Sequence, residues 1–290
     1  MTQVALKFQV GARTLASIPR RLTRISLTLE QALAGTVPVL PEAQGDGYLV
    51  TSLAEAAQAG LGTSGLIAAV RQRYTRYYTD LSIGHAAWLA GLSGQARSTL
   101  KRKARKVAGL GGEVRAYRTP ADFDAFHPLA RAVSARTYQE RLLGNGLPED
   151  PVELRAAAAR DELRAWLLMI DSTPVAYLCC TAQGDALLYM HVGHDPAHGD
   201  LSPGSVLHAE AMRQLFDDRF RWFDFTEGEG QHKRQFATGG VPCIDLLLLR
   251  PTFVNRATLA ALRGFDGTVA LAKRASAHPM LARLARRVRR

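Results

Sequence analysis

One stretch of the chain, residues 186–236, constrains the fold more than any other. It begins with a short apolar run, residues 187–192, which is typical of a buried strand. A loop rich in glycine and proline follows at residues 199–204, and apolar residues then recur at helical spacing over residues 206–216. Residues 222–225 (WFDF) predict the next strand. A loop that opens a helix in this way directs unpaired backbone N–H groups outward, and we interpret it as a cradle for a phosphate or pyrophosphate group.

The order of the predicted elements indicates the fold class. From Gly112 onward the pattern reads strand, two helices, three strands, helix, strand, helix and strand. The apolar runs RAWLLMI and PVAYLCCTA flank Asp171-Ser172-Thr173, which predicts a hairpin. Hairpins followed by a helical crossover indicate a mixed sheet. We therefore expect an α/β (α+β) protein whose mainly antiparallel sheet is flanked by helices.

Composition and charge narrow the classes of function. The chain of 290 residues carries a net charge of +11, and much of the excess lies in residues 97–106 and 273–290. Each of these segments is either a solvated helix face or a surface for phosphates. No apolar run has membrane-spanning length, and the N-terminal residues do not resemble a signal peptide. The three cysteines, two of them adjacent at Cys179 and Cys180, favour core packing in a reducing, cytoplasmic compartment.

The N-terminal part of the chain carries no recognisable catalytic pattern. Residues 4–10 alternate like a strand, and residues 74–80 (YTRYYTD) form a second, aromatic strand candidate. The alanine-rich residues 53–73 predict one or two helices. Residues 97–107 predict a further helix that is basic on most of its circumference.

Four segments together resemble the GNAT acyltransferase fold. They are the basic helix RSTLKRKARK, the segment SARTYQE, the strand pair RAWLLMI-DSTPVAYL, and the block DP…SPGSVL…FRWFDFTEG…HKRQF. The last block is the most specific, and it is similar to CelD-like acetyltransferase domains of the FemAB-related branch. The resemblance covers roughly residues 74–250.

The resemblance implies an architecture and a donor. It implies a GNAT-like mixed sheet, with two tandem GNAT-like halves in the chain. Residues 1–110 would then be a degenerate N-terminal half that includes the basic helix 97–107, residues 111–252 the acyltransferase domain, and residues 253–290 a basic helical tail. The implied donor substrate is acetyl-CoA. Aminoacyl-tRNA, the donor of the FemAB relatives, is the alternative.

Eight residues are candidates for donor binding. They are Val192, Gly193 and His194 in the strand, and Ser202, Pro203, Gly204, Ser205 and Val206 at the helix start. In GNAT proteins this strand splays from its neighbour and offers backbone groups to the pantetheine arm, and Gly193 permits a close approach. The helix start departs from the Arg/Gln-x-x-Gly-x-Gly/Ala loop of most GNAT enzymes. A β-bulge at Gly193 and an ordinary loop capped by Ser202 are the structural alternatives.

Four residues are candidates for the chemistry. Acyl transfer requires a base that takes the acceptor's proton, and His191 or Glu227 could supply it; the alternative for Glu227 is a solvated turn. Tyr138 could protonate the leaving thiolate, or it packs against the sheet. Lys233 could hold a phosphate or the acyl oxygen, or it pairs with Asp224 as a structural bridge.

The histidines around this strand also raise the question of a metal site. His191, His194 and His198 would share one face of a helix. Gly193 and Pro196 interrupt any such helix, so the three side chains are expected to be scattered along a strand end and a loop. We therefore predict no metal.

Together these features predict an N- or O-acyltransferase that uses direct attack on the thioester. The expected acceptor is a small molecule or glycan, an amine or hydroxyl of a sugar, polysaccharide or cell-envelope precursor. One alternative is an aminoacyl-tRNA-dependent transferase that grips RNA through residues 97–106; the other is a non-catalytic, membrane-associated assembly protein. The basic tail, residues 273–290, predicts contact with the inner face of the membrane, with disorder as the alternative.

Overall fold

The structure, a computed structural model, describes residues 2–10, 13–42, 45–137, 140, 146–228 and 230–277. The strands of the described residues are β1 (Thr2–Val10), β2 (Arg13–Ser26), β3 (Gly47–Ala54), β4 (Ile67–Asp80), β5 (Glu113–Tyr117), β6 (Leu163–Ile170), β7 (Thr173–Gln183), β8 (Ala186–His194), β9 (Trp222–Asp224) and β10 (Gly239–Leu249). The α-helices are α1 (Leu29–Leu33), α2 (His85–Gly91), α3 (Gly94–Ala108), α4 (Pro120–Ser134), α5 (Val152–Ala159), α6 (Pro203–Leu215), α7 (Gln231–Phe236) and α8 (Phe253–Ala277).

Two compact units are built from these elements. The first contains the described residues of Met1–Leu27, Gly35–Arg73 and Ile244–Arg290. Its strands follow the order β1–β2–β3–β10, in which β1 and β2 are antiparallel and β2 and β3 are parallel. Its core consists of leucines from these strands and from α8: Leu6, Leu22, Leu49, Leu247, Leu249, Leu259 and Leu262.

The second unit contains the described residues of Thr28–Ala34 and Tyr74–Cys243. Its strands follow the order β4–β9–β8–β7–β6–β5. Neighbouring strands are antiparallel except for β8 and β9, which are parallel. This arrangement confirms the predicted mixed, mainly antiparallel sheet. The division of the chain at residues 110 and 252 stays a prediction.

Each face of the sheet in the second unit carries its own helices and its own core. Side chains alternate along β6, whose eight residues are all buried. Trp166 and Leu168 pack with residues of α3 and α6, whereas Ala165 and Leu167 pack with residues of α4 and α5. The helices α4 and α6 therefore lie on opposite faces of strand β8, which runs through the middle of this sheet.

Residues 53–73 differ from the prediction. They contain the end of β3, a 3₁₀ turn at Glu55–Gly60 and the first half of β4, so the expected α-helices were wrong. Three of the alanines lie in the 3₁₀ turn, which ends at Gly60, and the others lie in β3 and β4, where pairing with neighbouring strands outweighs their helix propensity. The other predicted strands and helices of residues 74–249 are present, including the basic helix, α3.

The C-terminal helix α8 is described as far as Ala277, and residues 278–290 of the predicted basic tail lie outside the described part of the chain. Among the helices that are described, none combines the length and the apolar character needed to span a membrane.

Candidate active site

Strand β8 has a parallel neighbour along only part of its length. Its pairing with the short strand β9 covers Ala186–Leu188, whereas its pairing with β7 continues to His194. Just beyond, the Asp195 N–H donates to the Val175 carbonyl at 2.8 Å. Because the direction of hydrogen bonding alternates along an antiparallel strand, the N–H groups of Val192 and His194 point away from β7. They point to the edge that β9 leaves open.

A cavity of about 600 Å³ opens beside this edge. Six of the predicted donor-binding residues line it: Val192, Gly193, His194, Ser202, Gly204 and Ser205. Of the other two, Pro203 is the first residue of α6 and is buried, and Val206 packs into the core between α3 and α6. The structure thus brings the strand and the helix start together at one cavity.

The start of α6 offers fewer backbone donors than its sequence suggests. Pro203, its first residue, has no N–H, and the Ser205 N–H already donates to the Ser202 carbonyl at 3.0 Å. Gly204 supplies the first N–H of the helix, and the ring of His194 is the nearest group to where its Cβ would be, at 3.9 Å. Ser202 adopts the left-handed conformation and does not cap the helix with its side chain. The structural alternative in which Ser202 caps the helix is therefore wrong.

The inner end of the cavity is aromatic. The His208 ring lies 4.3 Å from the Phe236 ring and 5.6 Å from the Phe225 ring, and it meets Tyr189 edge-on. Its Nε2 atom is buried without a hydrogen-bond partner among the described residues. Burial, aided by the nearby His232, lowers the pKa of His208 to about 3. His208 is therefore neutral at neutral pH.

A hydrogen-bonded turn forms another wall. Lys233 is 9% exposed, and its Nζ atom donates to the carbonyls of Phe225 at 2.7 Å and Glu227 at 2.6 Å. The salt bridge of Asp224 is with Arg76, at 2.5 Å between Nη2 and Oδ2. Lys233 thus ties the turn after β9 to α7, while its side chain lines the cavity. The Glu227 side chain is exposed.

His191 lies on the other face of β8, the face that α4 covers. It pairs with Cys179 of β7, and its ring is half-buried with Nδ1 3.2 Å from the Gly146 carbonyl. Because a carbonyl only accepts hydrogen bonds, Nδ1 carries the proton and the Nε2 lone pair is left to accept one. Burial lowers the pKa of His191, so the ring is neutral at neutral pH. These are the properties of a general base.

Gly193 has a packing role that the sequence did not indicate. A Cβ atom at this position would lie 2.6 Å from the Tyr177 ring and 2.7 Å from the Thr137 methyl group. Glycine is thus required by contacts on the α4 face, while its backbone lines the cavity on the other side. The β-bulge that was the structural alternative for Gly193 lies elsewhere in β8. The register of β8 shifts opposite Cys179 and Cys180 of β7, whereas Gly193 is paired regularly with Tyr177.

Several other predictions can be placed. Tyr138 lies outside the described residues. Cys179 and Cys180 are fully buried, as predicted, and burial raises the pKa of Cys179 to about 12. Within the part of the chain that the structure describes, no three histidine, cysteine or acidic side chains are grouped so that they could bind a metal ion.

Sequence reasoning missed His208 and His232, which both line the cavity. His208 is one helical turn before Met212 and two turns before Leu215, two buried residues of α6. A histidine in an apolar helical stripe was the available signal for His208. His232 follows a glycine-rich turn and offers no such pattern.

A model of the GNAT acetyltransferase domain family matches residues 94–234. The fold is GNAT-like. These residues include α3, β8, the start of α6 and most of α7, so the match covers every described lining residue of the cavity except Phe236.

Two solved structures share this GNAT-like fold. One is the C-terminal domain of a protein assigned as a lysylphosphatidylglycerol synthetase from Agrobacterium fabrum, with 13% identity, a TM-score of 0.53, and coverage of 77% of this chain and 72% of that one. The other is L-PGS from Bacillus licheniformis, with 12% identity, a TM-score of 0.51, and coverage of 74% and 72%. At these identities the likeness shows the fold alone. No curated protein sequence matches the chain significantly.

Proposed function

We propose that this protein is an acyl-CoA-dependent N- or O-acyltransferase of the CelD-like, FemAB-related branch, with acetyl-CoA as its donor. The observation that carries the proposal is the open half of β8, which borders one cavity together with the start of α6. The proposed acceptor is an amine or hydroxyl of a sugar, a polysaccharide or a cell-envelope precursor.

The shape of the cavity suits a slender donor that ends in phosphates. Backbone N–H groups of β8 point to its open edge and can bind the amides of a pantetheine arm. At its mouth, Gly204 leaves the backbone of α6 accessible, and the dipole of this helix favours negative charge. The Ser202 hydroxyl lines the same region and is not used as a helix cap.

The charge of the cavity favours acyl-CoA over an aminoacyl ester. Lys233, His194 and His232 line it, and none of its described lining residues is an aspartate or glutamate. An aminoacyl ester carries an α-ammonium group, and no described lining residue of the cavity is a carboxylate that could neutralise it. An uncharged acyl group attached to an anionic carrier avoids that unfavourable interaction.

The proposed chemistry divides between the two faces of β8. The N–H group of Val192 would stabilise the negative charge that develops on the acyl oxygen, and that of His194, about 7 Å further along the strand, would bind an amide of the pantetheine arm. His191 would take the acceptor's proton at Nε2, and its lowered pKa keeps it ready for this step at neutral pH. Glu227, the other candidate, is exposed and lacks comparable hydrogen bonds. Lys233 would hold the cavity wall, and Tyr138 stays a candidate for protonating the leaving thiolate.

A second candidate donor is aminoacyl-tRNA, and one observation favours it. Helix α3 exposes basic side chains on most of its surface: Arg97, Lys101, Arg102, Arg105 and Lys106. Only Leu100 and Val107 of this helix are buried. Such a surface can neutralise RNA phosphates, and binding through it would weaken steeply as salt increases.

Thermal unfolding in the presence of ligands tests these candidates together. A ligand that binds only the folded state at a concentration 100-fold above its Kd stabilises it by about 2.7 kcal/mol. We expect acetyl-CoA to raise the melting temperature, and bulk tRNA to leave it unchanged at 150 mM salt. A shift with tRNA alone, abolished by Lys101→Glu with Arg105→Glu, would establish the second candidate. No shift with acetyl-CoA, with longer acyl-CoAs or with tRNA would leave the non-catalytic alternative.

A further inference from the structure

A buried serine hydroxyl on the α4 face of β8 has all of its hydrogen-bonding capacity in use. Ser134, the last residue of α4, is fully buried. Its Oγ atom accepts from the Tyr177 hydroxyl at 3.0 Å and from the Leu147 N–H at 2.9 Å, and it donates to the Glu140 carboxylate. One donor and two acceptor positions are all that a hydroxyl offers. Its orientation is therefore fixed.

Arg131, one turn earlier in α4, anchors the same group of atoms. Its two terminal nitrogens bind the two Glu140 oxygens at 2.8 and 2.6 Å, which is a bidentate ion pair. One of them also donates to the Leu147 carbonyl at 2.5 Å. The side chains of Arg131 and Glu140 are 16% and 23% exposed, so this pair is largely shielded from water. We call Arg131, Ser134, Glu140 and Tyr177 the Ser134 cluster.

The Ser134 cluster holds the peptide that contacts His191. Both backbone groups of Leu147 are bound, its N–H by Ser134 and its carbonyl by Arg131. Gly146 precedes it and lies directly against the cluster, because a Cβ there would be 2.1 Å from a Glu140 oxygen and 2.6 Å from the Ser134 hydroxyl. The Gly146 carbonyl accepts from Nδ1 of His191 at 3.2 Å. Fixing residues 146–147 thus fixes the partner of the imidazole.

We infer that the Ser134 cluster is a positioning device that presents the Gly146 carbonyl to His191 and so holds the imidazole in its Nδ1–H tautomer. The inference rests on the proposed function, in which Nε2 of His191 accepts the acceptor's proton. In the other tautomer Nε2 would carry a hydrogen and could not act as a base. Arg131, Ser134 and Glu140 act through the backbone, and they are positioning residues.

The surroundings of His191 contain no described group that competes for its Nδ1 proton. Its strand neighbour across β7 is Cys179, a fully buried thiol whose pKa burial raises to about 12, so it stays protonated. Burial also raises the pKa of Tyr177, and its hydroxyl is directed to Ser134. The carboxylate of Glu140 is bound by Arg131, which lowers its pKa and keeps it ionised. The Gly146 carbonyl remains the partner of the ring.

Nitrogen-15 NMR of the imidazoles in the full-length protein tests this inference without an assay of turnover. The chain has 8 histidines, and His191 is identified as the signal missing from His191→Asn. We expect wild-type His191 to be a single Nδ1–H tautomer at pH 8. In Ser134→Ala the Gly146 peptide loses its anchor, so a mixture of both tautomers is expected, with a fall in kcat of about tenfold and little change in KM for the donor. Glu140→Gln, which keeps the shape of the side chain but weakens the Arg131 pair, should give a smaller shift in the same direction.

Asp124→Asn is the matched control, because Asp124 also belongs to α4, forms an exposed ion pair with Arg155 of α5, and lies outside the cluster. It should leave the His191 tautomer unchanged. A mixed or Nε2–H tautomer of His191 in the wild type overturns the inference. So does a single Nδ1–H tautomer of His191 in both Ser134→Ala and Glu140→Gln. If Ser134→Ala does not fold, Glu140→Gln and the wild-type spectrum still decide. A fixed Nδ1–H tautomer combined with full turnover in His191→Asn would overturn the proposed base and leave the positioning intact.

Discussion

The two faces of strand β8 differ in how their buried polar groups are hydrogen-bonded. On the α4 face, Ser134 and Tyr177 form a completed hydrogen-bond network that ends at His191. On the α6 face, His208 lies among aromatic rings and its Nε2 atom has no partner among the described residues. A completed network holds its members in one arrangement, whereas an unpaired buried group destabilises the protein until a ligand reaches it. The α4 face is thus a fixed frame, and the α6 face is built to receive a ligand.

The largest effect is expected from removing the proposed base on the fixed face. His191→Asn should lower kcat about a hundred- to a thousandfold, since a general base contributes on that order. Donor affinity should not change, because His191 does not line the cavity. In the wild type, the rate should rise with pH up to a pKa below 6.5 and then level off, because the ring must be neutral. The assay is release of coenzyme A with a panel of amines and aminosugars.

Glu227→Gln distinguishes the two candidate bases in the same assay. If His191 is the base, this variant keeps most of its activity, because the Glu227 side chain is exposed. A loss of activity with Glu227→Gln and none with His191→Asn would transfer the role of base to the turn after β9.

Opening the network on the fixed face should destabilise the fold. Ser134→Ala leaves the Tyr177 hydroxyl and the Leu147 N–H buried without their partner, and we expect it to lower the free energy of unfolding by about 2–4 kcal/mol. Urea denaturation measures this difference, with Asp124→Asn of the same helix as the control. An exposed ion pair contributes little, so that variant should unfold at the wild-type midpoint. Equal midpoints for all three proteins would show that the network is not closed.

Removing a buried polar group on the α6 face should raise the free energy of unfolding instead of lowering it. His208→Phe replaces an unpaired polar ring with an apolar one in an aromatic environment, and it should stabilise the protein by about 1–2 kcal/mol at pH 7. The pH dependence should change as well. The pKa of His208 is about 3 in the folded state against 6.5 for a free histidine, so below pH 6.5 the unfolded chain takes up a proton that the folded protein does not.

The wild type should therefore lose stability as the pH falls from 6.5 towards 3. His208 accounts for about 1.4 kcal/mol per pH unit in this range, and His208→Phe should lack that contribution. Urea denaturation at pH 7 and pH 5 measures this contribution. The free energy of unfolding of His208→Phe should exceed that of the wild type by about 2 kcal/mol more at pH 5 than at pH 7. A constant gap would mean that His208 is not buried as a neutral ring.

The sequence predicted the fold of the second unit better than it predicted the site. The segment from β8 to β9 was predicted correctly because the apolar residues of each strand and helix recur with a clear period. The glycine and proline residues between the elements mark where each one ends. Residues 53–73 were predicted wrongly, because their alanines favour a helix and a local pattern does not show the strand pairing that overrides this preference. The resemblance to GNAT domains covers residues 74–250, the same part of the chain whose strands and helices the local patterns predicted well.

The two faces of β8 could not be separated from the sequence. Tyr177 and Ser134 are 43 positions apart, and local spacing does not record a contact over that distance. His191 and His194 looked equivalent, yet the first belongs to the fixed face and the second lines the cavity. The two histidines are three positions apart in a regularly paired part of β8, so the alternation of side chains along the strand places them on opposite faces. His208 was overlooked although it is a polar residue within the apolar stripe of α6.

Binding of acetyl-CoA at the open half of β8 is the central claim, and calorimetric titration of a matched pair of glycine variants tests it most directly. Gly204→Val narrows the cavity in the first turn of α6, and Gly94→Val makes the same change in the first turn of α3, away from the cavity; neither position has a close neighbour to clash with. Both variants should fold. We predict that wild type and Gly94→Val bind acetyl-CoA equally and that Gly204→Val binds at least about tenfold more weakly, a loss of 1.4 kcal/mol or more. No binding by the wild type, or equal binding by all three proteins, would contradict the account.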